Sequence, residues 1–291
     1  MSRVAVIGAN GQLAHDLIPT LEEVGYLVAG LTHAEIEVID LNASRATLTA
    51  IDPHIVINTS AYHKVDEVED NPERAFAVNA IGPYNLALIC RELDTPLVHM
   101  STDYVFSGSK GKPYVESDCV DPINIYGLSK AAGEMAIRAL WPKHVIIRSS
   151  GLYGLAGSSG KGGNFIETML RLAGEGRAIK VVDDQTLTPT STHTLAQQVV
   201  PLLKAGIHGT FHATCQGECT WFTFAAEIFR QIGLQPSLAP QTTAESGARA
   251  RRPPYSVLEN AALKSAGLDI LPPWEEALQA YLIERNANKV G

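Results

Sequence analysis

Residues 124–134 read NIYGLSKAAGE and place a phenol and an ammonium four residues apart. Four helical residues rise about 6 Å along the axis, so Tyr126 and Lys130 should face one cleft. A free phenol, with a pKa near ~10, is a weak proton donor at neutral pH. An ammonium about 5 Å away would stabilise the phenolate by about 3 kcal/mol at an effective dielectric near 20, and burial would offset part of that. We therefore predict that Lys130 lowers the pKa of Tyr126, which protonates a carbonyl while a nicotinamide supplies hydride.

A second group of polar side chains follows an apolar stretch in HMSTDYVF, residues 99–106. This stretch should end over the cofactor, so Ser101 and Thr102 are candidates to donate a hydrogen bond to the developing alkoxide. Asp103 is expected to order the end of the strand. We interpret His99, inside the apolar stretch, as a buried core histidine.

The elements that must position these groups alternate in type along the first half of the chain. Near-continuous apolar strands separated by helices are typical of a parallel sheet covered on both faces. The sequence therefore predicts an α/β fold with a doubly wound parallel sheet of the Rossmann type. The predicted strands are 3–8, 26–31, 54–60, 97–101 and 144–150, and the predicted helices are 11–24, 71–93 and 125–140.

The second half of the chain is less regular. We predict a dinucleotide-binding domain over residues 1–150, with segments at about 178–212 returning to it. The remaining residues, 151–177 and 213–291, are predicted to form a smaller substrate-binding lobe. The glycine- and serine-rich residues 154–164 predict a loop. Further strands are predicted at 178–184 and 209–214, and further helices at 192–204, 221–232 and 274–285.

A glycine motif, GANGQLA, links the first predicted strand to the first predicted helix. Gly8 permits a tight turn, Gly11 lets backbone N–H groups approach a pyrophosphate, and Ala14 is small enough for close packing of helix on strand. The helix N-terminus then presents its partial positive charge to the phosphates. After the second strand, Thr32 and His33 are neutral and no basic residue is available for a 2′-phosphate. We therefore predict either NADPH or NADH as the cofactor.

Composition restricts the partners of the protein. The 291 residues carry a net charge of −8, which argues against nucleic acid or an acidic membrane. The chain enters a strand at once and has no apolar run of about 20 residues, which predicts no signal peptide, no membrane span and a cytoplasmic location. Four cysteines without zinc-like spacing predict reduced thiols and no metal site.

Several motifs together resemble the extended short-chain dehydrogenase/reductase family, and within it the reductases that complete dTDP-L-rhamnose synthesis. The resemblance covers most of the chain, and STDYVF and DDQTLTPT are far more discriminating than the glycine motif. The matching blocks are GANGQL (8–13), INTSAYHKVDEVE (57–69), AFAVNAIGPYNLA (75–87), STDYVFSG (101–108), INIYGLSKAAGE (123–134), IIRSSGLYG (146–154), GNFIETMLRLA (163–173), DDQTLTPTST (183–192) and RRPPYSVL (251–258).

The resemblance implies reduction of the C4 keto group of dTDP-4-dehydro-6-deoxy-L-mannose, with hydride from the nicotinamide and a proton from Tyr126. It implies Thr102, Tyr126 and Lys130 as the catalytic set, with the last two also contacting the cofactor. The other candidate cofactor residues are Gly8, Asn10, Gly11, Gln12 and Leu13 at the turn, Asp40 and Leu41 at the adenine, Ala61 and Tyr62 along the cofactor, and Asn79 as a support. The candidate substrate residues are Thr102, Asp103, Gly151, Asn164, Phe165 and Arg252.

Three of these substrate candidates have an alternative structural interpretation. Asn164 and Phe165 either contact a nucleotide base or cap and fill a helix. Arg252, held on a stiff segment by Pro253 and Pro254, suits a diphosphate, and otherwise is a solvated loop residue.

The chain departs from the family pattern at two places. Gly151 stands where a tryptophan usually lines the sugar pocket, which opens the pocket or removes a stacking surface. Some relatives hold Mg²⁺ at a dimer interface, and the matching positions here are Asp16 and His193. Because histidine is a poor Mg²⁺ ligand, we predict no metal-mediated dimer. The protein is expected to be a monomer or a homodimer.

Two other functions remain open from the sequence. One is an epimerase or dehydratase of another nucleotide sugar, although the STD motif lacks the glutamate that dehydratases place after the aspartate. The other is a non-catalytic regulatory subunit that binds NADP, which the change at Gly151 would suit.

Overall fold

The computed structural model describes residues 2–156 and 163–290. Most of the loop predicted at 154–164, namely residues 157–162, lies outside these described residues. The helices are α1 Gln12–Glu23, α2 Leu41–Ile51, α3 Val65–Asp70, α4 Pro72–Phe76, α5 Gly82–Glu92, α6 Ile125–Leu140, α7 Phe165–Gly174, α8 Thr192–Ala205, α9 Trp221–Ile232, α10 Ala261–Ser265 and α11 Trp274–Val290. The strands are β1 Arg3–Ile7, β2 Leu27–Leu31, β3 Ile55–Asn58, β4 Leu97–Thr102, β5 His144–Ser149, β6 Leu152–Tyr153, β7 Ile179–Val182, β8 Thr186–Leu187, β9 Thr190–Ser191, β10 Gly209–His212, β11 Cys219–Thr220 and β12 Leu238–Gln241.

Six strands form one parallel sheet in the order β10-β5-β4-β3-β1-β2. The order reverses direction between β1 and β3, which is the switch point where the carboxyl ends of the strands leave a crevice. The predicted doubly wound fold is therefore confirmed. A π-helical turn, Ala77–Ile81, joins α4 to α5 within the long helix predicted at 71–93.

The two faces of this sheet are covered by different helices. On one face α1 and α8 pack over β1, β4 and β5, with Leu17, Leu195 and Val199 fully buried. On the other face α2, α5 and α6 pack over the same strands, with Leu86 and Ile137 fully buried. Burial on both faces is why the strands are apolar along their whole length rather than alternating.

The smaller lobe has its own core, made of α7, α9, α11 and short strands. Phe224 and Tyr153 are fully buried there and pack against Trp274 and Tyr281. Its strands pair only in twos, β6 with β9, β8 with β11 and β7 with β12. The lobe is thus held by side-chain packing rather than by one continuous sheet.

The segment that returns to the main sheet is shorter than predicted. Strand β7 does not join that sheet, because Ile179 and Val181 are apolar and bury themselves in the core of the lobe. Return begins with α8 and ends with β10, which pairs with β5. A second segment, near α10, also packs on the main core through Leu263 and Leu271, although it was predicted within the lobe.

Candidate active site

A cavity of about 940 Å³ runs along the carboxyl ends of the sheet strands and continues to the lobe. Its walls contain the glycine turn after β1, the residues after β3 and β4, the start of α6 and the first residues of α7. Cavities of this size commonly bind ligands of cofactor or drug size. The cavity therefore joins the predicted cofactor half of the molecule to the predicted substrate half.

The predicted catalytic residues come from two elements that meet at this cavity. Thr102 ends β4, and its hydroxyl donates to Asp103 Oδ1 at 3.0 Å. Helix α6 begins one residue before Tyr126, where the Asn124 side chain accepts a hydrogen bond from the Gly127 N–H at 2.7 Å. This cap fixes the first turn of the helix, so Tyr126 and Lys130 both line the cavity with Thr102.

The predicted lowering of the Tyr126 pKa is wrong for this arrangement. Burial of the phenol raises its pKa to about 12, and hydrogen bonding with Thr102 offsets only part of that effect. Lys130 is not among the groups that shift the Tyr126 pKa. Its Nζ donates instead to the Met100 carbonyl at 2.6 Å. A protonated Tyr126 is nevertheless the form that a proton donor requires.

Asp103 is a buried carboxyl group directly beside the predicted catalytic residues. Burial raises its pKa, and hydrogen bonds from Ser256, Ser150 and Thr102 act in the opposite direction. Ser150 Oγ donates to Asp103 Oδ2 at 2.8 Å. These contacts tie the end of β4 to the segment after β5 and to the loop before α10, so Asp103 orders the strand end.

The glycine turn has the features that a dinucleotide phosphate needs. Gly8 has φ +86, and a Cβ there would lie 2.8 Å from Thr59 Oγ1 and 3.0 Å from the Ser60 nitrogen. Helix α1 has no side-chain cap at Gly11 and no acidic residue in its first turn. Its N-terminal N–H groups are thus open to an anion, and the residues present fit a pyrophosphate.

The structure brings most, but not all, of the candidate cofactor residues to the cavity. Asp40 does not line it; its carboxylate caps α2 by accepting from the Asn42 and Ala43 N–H groups. Leu41, the next residue, does not line it either. Asn79 lies behind the wall, where its amide donates to the Tyr62 carbonyl at 2.9 Å. The residues that do line the cavity are Gly8, Asn10, Gly11, Gln12, Leu13, Ala61, Tyr62, Tyr126 and Lys130.

The end of the cavity beyond β2 carries mixed charge. Thr32, His33 and Glu37 line it, and the His33 imidazole lies 3.1 Å from the Glu37 carboxylate. Arg74 also lines the cavity and stacks over the Tyr62 ring at 5.0 Å. The sequence reasoning missed Arg74, which comes from α4, a distant element in the chain.

The lobe supplies the opposite wall of the cavity. Asn164 caps α7 by accepting from the Glu167 N–H at 3.0 Å, and its amide donates to the Gly154 carbonyl at 2.8 Å. Phe165 packs against Trp221 with 4.7 Å between ring centres. Asn164, Phe165 and Trp221 all line the cavity. Trp221 was not predicted, because only the packing of α9 on α7 brings it there.

Gly151 lies in the cavity wall with φ +55, a conformation that favours glycine. A Cβ there would approach Leu187 Cδ1 to 2.8 Å and Pro189 Cα to 3.1 Å. The backbone at this position is therefore shaped around the absence of a side chain. Arg252 does not line the cavity; its guanidinium pairs with Asp66 at 2.7 Å, so this arrangement does not support the predicted diphosphate contact.

One buried hydroxyl in the cavity wall was also missed by sequence reasoning. Ser149 Oγ has no hydrogen-bond partner among the described residues and the side chain is 4% exposed. Its register partner across β4 and β5 is Thr102. A buried hydroxyl without a partner costs about 1–3 kcal/mol, so a ligand atom that forms a hydrogen bond with Ser149 Oγ would recover this free energy.

The described residues contain no group of three or more His, Cys, Asp or Glu side chains arranged for a metal ion. Asp16 accepts a hydrogen bond from the Thr192 hydroxyl, and His193 lies 3.0 Å from the Gln197 amide. Within residues 2–156 and 163–290, no helix is long and apolar enough to cross a bilayer.

A phosphate-binding turn on a doubly wound sheet, with a tyrosine and a lysine four residues apart over the same cavity, defines a nicotinamide-dependent oxidoreductase of the Rossmann class. Comparison with known proteins gives the family. Residues 2–286 match the model described as the RmlD substrate binding domain, and the chain belongs to this family.

Individual relatives agree with this membership over nearly whole chains. The chain is 40% identical to the spore coat polysaccharide biosynthesis protein SpsK of Bacillus subtilis, over 99% of each chain. It is 40% identical to a dTDP-4-dehydrorhamnose reductase of Streptomyces griseus, over 95% of this chain and 91% of that one. A crystal structure of dTDP-4-dehydrorhamnose reductase from Bacillus anthracis in complex with NADP superposes with a TM-score of 0.93, at 38% identity, over 98% of this chain and 100% of that one.

Proposed function

We propose that the protein reduces the C4 keto group of dTDP-4-dehydro-6-deoxy-L-mannose to give dTDP-L-rhamnose, with NADPH as the reductant. The observation that carries this proposal is one continuous cavity that joins the phosphate turn at Gly8 to Tyr126 and Thr102 and then to the lobe. Several relatives that match over nearly the whole chain are named dTDP-4-dehydrorhamnose reductase, and a crystal structure of one such reductase contains NADP.

The cofactor would be held by the wall formed after β1 and β3. The N–H groups at the start of α1 receive its pyrophosphate, and Gly8 leaves space for that approach. Ala61 and Tyr62 border its length, while Asn79 fixes the backbone of Tyr62 from behind. When bound, the reduced nicotinamide supplies hydride to the carbonyl carbon. NADH remains an alternative, because no arginine or lysine lies beside Thr32 and His33 in the sequence to bind the 2′-phosphate of NADPH.

The residues around Thr102 carry out the proton chemistry. Thr102 and Tyr126 are hydrogen-bonded neighbours. A carbonyl oxygen placed between their hydroxyls receives two donors once the single O–H of Thr102 turns from Asp103 to this oxygen. Tyr126 gives its proton to this oxygen as the alkoxide forms. Asp103 holds the end of β4 in place, since its carboxylate accepts from Ser150 Oγ at 2.8 Å.

The lobe would hold the sugar nucleotide. Phe165 and Trp221 offer aromatic faces for the base, and Asn164 orients the first turn of α7. At Gly151, where the family pattern has a tryptophan, Leu187 and Pro189 close against the backbone. The pocket therefore lacks an aromatic stacking surface at this position. We propose that the protein is a monomer or a homodimer.

The test is oxidation of NADPH in the presence of dTDP-4-dehydro-6-deoxy-L-mannose, with the product identified by NMR. The expected product is dTDP-L-rhamnose, formed with one NADPH consumed for each sugar. Sugar nucleotides that lack a keto group, such as dTDP-glucose, should consume none. Absence of turnover with every dTDP-4-keto sugar would contradict the proposal.

The same experiment separates the two alternatives. An epimerase or dehydratase retains oxidised cofactor through purification and converts sugar without net NADPH loss, whereas the proposed reductase releases its cofactor on dilution. A regulatory subunit would bind NADP, show no reductase activity and copurify with an enzyme at fixed stoichiometry. The intact set of Thr102, Tyr126 and Lys130 argues against that last function.

A further inference from the structure

Lys130 is tied to the sheet by its charged end. The residue is 2% exposed, and Lys130 Nζ lies 2.6 Å from the Met100 carbonyl and 3.1 Å from His99 Nε2. His99 is fully buried, and its other ring nitrogen, Nδ1, lies 3.1 Å from Asn58 Nδ2. A buried chain of polar groups therefore runs from β3 through β4 to the helix that carries the catalytic residues.

The direction of the hydrogen bonds in this chain is fixed at Asn58. Asn58 Oδ1 accepts from the Ser60 N–H at 3.0 Å and from Ser60 Oγ at 2.6 Å. A backbone N–H can only donate, so the amide cannot be turned over without placing two donors against each other. Asn58 Nδ2 therefore donates to His99 Nδ1.

This direction determines which nitrogen of His99 carries the proton. A neutral imidazole has one donor and one acceptor nitrogen, and Nδ1 is the acceptor here. His99 must then direct its Nε2–H at Lys130 Nζ. An ammonium offers only donors and would oppose that N–H, whereas a neutral amine accepts from His99 and still donates to the Met100 carbonyl.

We propose that His99, oriented by Asn58, is a positioning residue that favours the neutral amine of Lys130 in the ligand-free protein and so lowers the pH at which Lys130 loses its charge. His99 is thus more than the core histidine that its apolar strand indicates. Only the kinetic consequence of this inference rests on the proposed reductase function.

Two further observations agree with this assignment. Burial lowers the pKa of Lys130 to about 8, with Glu134 opposing that change. Glu134 itself is already paired with Arg148 of β5 at 2.6 Å. Burial also lowers the pKa of His99 well below its ordinary value, so its imidazole is neutral, as the direction of the hydrogen bonds requires. Tyr126, on the same helix, and Asp103, after β4, are titratable groups that line the same cavity as Lys130.

The consequence for pH dependence follows from the sign of the Lys130 change. The ammonium is present below a pKa of about 8 and is lost as the pH rises through that value. If turnover requires the charged form of Lys130, which is also a candidate cofactor contact, kcat should fall along an alkaline limb near this pH. A substitution that reverses the hydrogen bonds between Asn58, His99 and Lys130 should move this alkaline limb to higher pH.

The first measurement is ¹⁵N NMR of the ligand-free full-length protein. Long-range ¹⁵N–¹H spectra should show His99 as the Nε2–H tautomer, and selective ¹⁵N labelling of lysine should show Lys130 Nζ titrating near pH 8. A His99 that carries its proton on Nδ1, or a Lys130 that stays charged to pH ~10, the ordinary range for lysine, would overturn the inference. Neither result depends on any sugar substrate, so a failed reductase assay leaves this test intact.

The second measurement uses Asn58→Asp, which retains the acceptor for Ser60 but cannot donate to His99 Nδ1. His99 should then carry its proton on Nδ1 and present a lone pair to Lys130. The Lys130 titration, and with it the alkaline limb of kcat, should move upward by about one pH unit or more. A Lys130 titration that stays near the wild-type pH in the folded variant would contradict the inference. If the variant does not fold, the His99 tautomer measured in the wild-type protein tests the inference instead.

The matched control is Asn85→Asp, which also places a carboxyl group at a buried asparagine. Asn85 Nδ2 donates to the carbonyls of Val38 and Ile39 and has no contact with His99 or Lys130. The Lys130 titration should stay near pH 8 in this variant. An equal upward shift in both variants would show a general effect of added charge and would count against the hydrogen-bond chain.

Discussion

The two halves of the cavity wall are built in different ways. The sheet half consists of βα units, in which the functional residues lie at or just after the end of a strand, as Gly8 follows β1 and Thr102 ends β4. The lobe half is assembled from segments far apart in the chain. Asn164 Nδ2, for example, donates to the Tyr281 hydroxyl, 117 residues away, at 3.1 Å.

This difference predicts that substitutions in the two halves have different effects. Substitutions in the sheet half should change cofactor binding or chemistry without loosening the lobe. Substitutions in the lobe half should change lobe stability and substrate affinity together, because the same side chains serve both purposes. The following substitutions test this difference between the two halves, from the largest expected effect to the smallest.

The largest effect is expected for Tyr126→Phe. Removing the proton donor should lower kcat by about 10²- to 10⁴-fold, while NADPH affinity stays within about twofold. Steady-state kinetics and fluorescence titration with NADPH measure the two quantities. Tyr84→Phe, at an exposed tyrosine of α5, is the matched control and should retain full turnover. A kcat for Tyr126→Phe near that of the control would remove the proposed mechanism.

Gly8→Val should weaken cofactor binding. The added Cβ would lie 2.8 Å from Thr59 Oγ1, and the backbone must keep φ +86, so strain of about 1–3 kcal/mol corresponds to a roughly 5- to 150-fold rise in the NADPH Kd. Affinity for the sugar nucleotide product should be unchanged, as calorimetry can show.

A control for Gly8 separates backbone strain from lost space. Gly25 has φ +91, but a Cβ there meets nothing within 4 Å. Gly25→Val should therefore lower stability and leave the NADPH Kd at the wild-type value. Equal losses of NADPH affinity in both variants would show that the turn acts only through global stability.

The contrast between the halves also explains how much of the structure could be predicted from the sequence. The boundaries of α6 and α9 were predicted to the residue, since capping residues and apolar periodicity are local signals. The two-residue strands β8 and β11 were missed, because strands so short have no periodicity of their own. Trp221 was placed in a helix, but its position in the cavity depends on how α9 packs against α7.

The electrostatic prediction failed for a related reason. Spacing along α6 correctly placed Tyr126 and Lys130 at one cavity, but it carried no information about what else would attract the ammonium. The Met100 carbonyl and His99 belong to β4, about 30 residues earlier, and they hold Lys130. Helical geometry predicts which side chains share a face, whereas burial and tertiary partners determine their pKa values.

In the lobe, Asn164→Ala should couple stability to substrate affinity. The substitution removes the cap of α7 and the bonds to Gly154 and Tyr281, so the free energy of unfolding should fall by about 1–2 kcal/mol. The KM for the sugar nucleotide should rise several-fold, with the NADPH Kd unchanged. Chemical denaturation and steady-state kinetics measure these effects.

The control for Asn164 is another helix cap in the same lobe. Thr220 Oγ1 accepts from the Thr223 N–H at 3.1 Å and caps α9, but it does not line the cavity. Thr220→Ala should lower stability by a comparable amount and leave the KM for the sugar nucleotide unchanged. A raised KM in both variants would mean that Asn164 acts only by stabilising the lobe.

The smallest effect is expected at the boundary of the two halves, for Ser149→Ala. Because Ser149 Oγ has no partner among the described residues, its removal should leave the melting temperature unchanged or raise it slightly. If a bound ligand takes this hydroxyl, kcat/KM should fall by about two- to twelvefold, corresponding to one hydrogen bond of about 0.5–1.5 kcal/mol. Ser150→Ala should show the opposite pattern in stability, because Ser150 Oγ donates to Asp103 at 2.8 Å in the protein itself. A fall in melting temperature in Ser149→Ala equal to that in Ser150→Ala would show that Ser149 has a structural partner. Ser149 would then serve the stability of the fold rather than ligand binding.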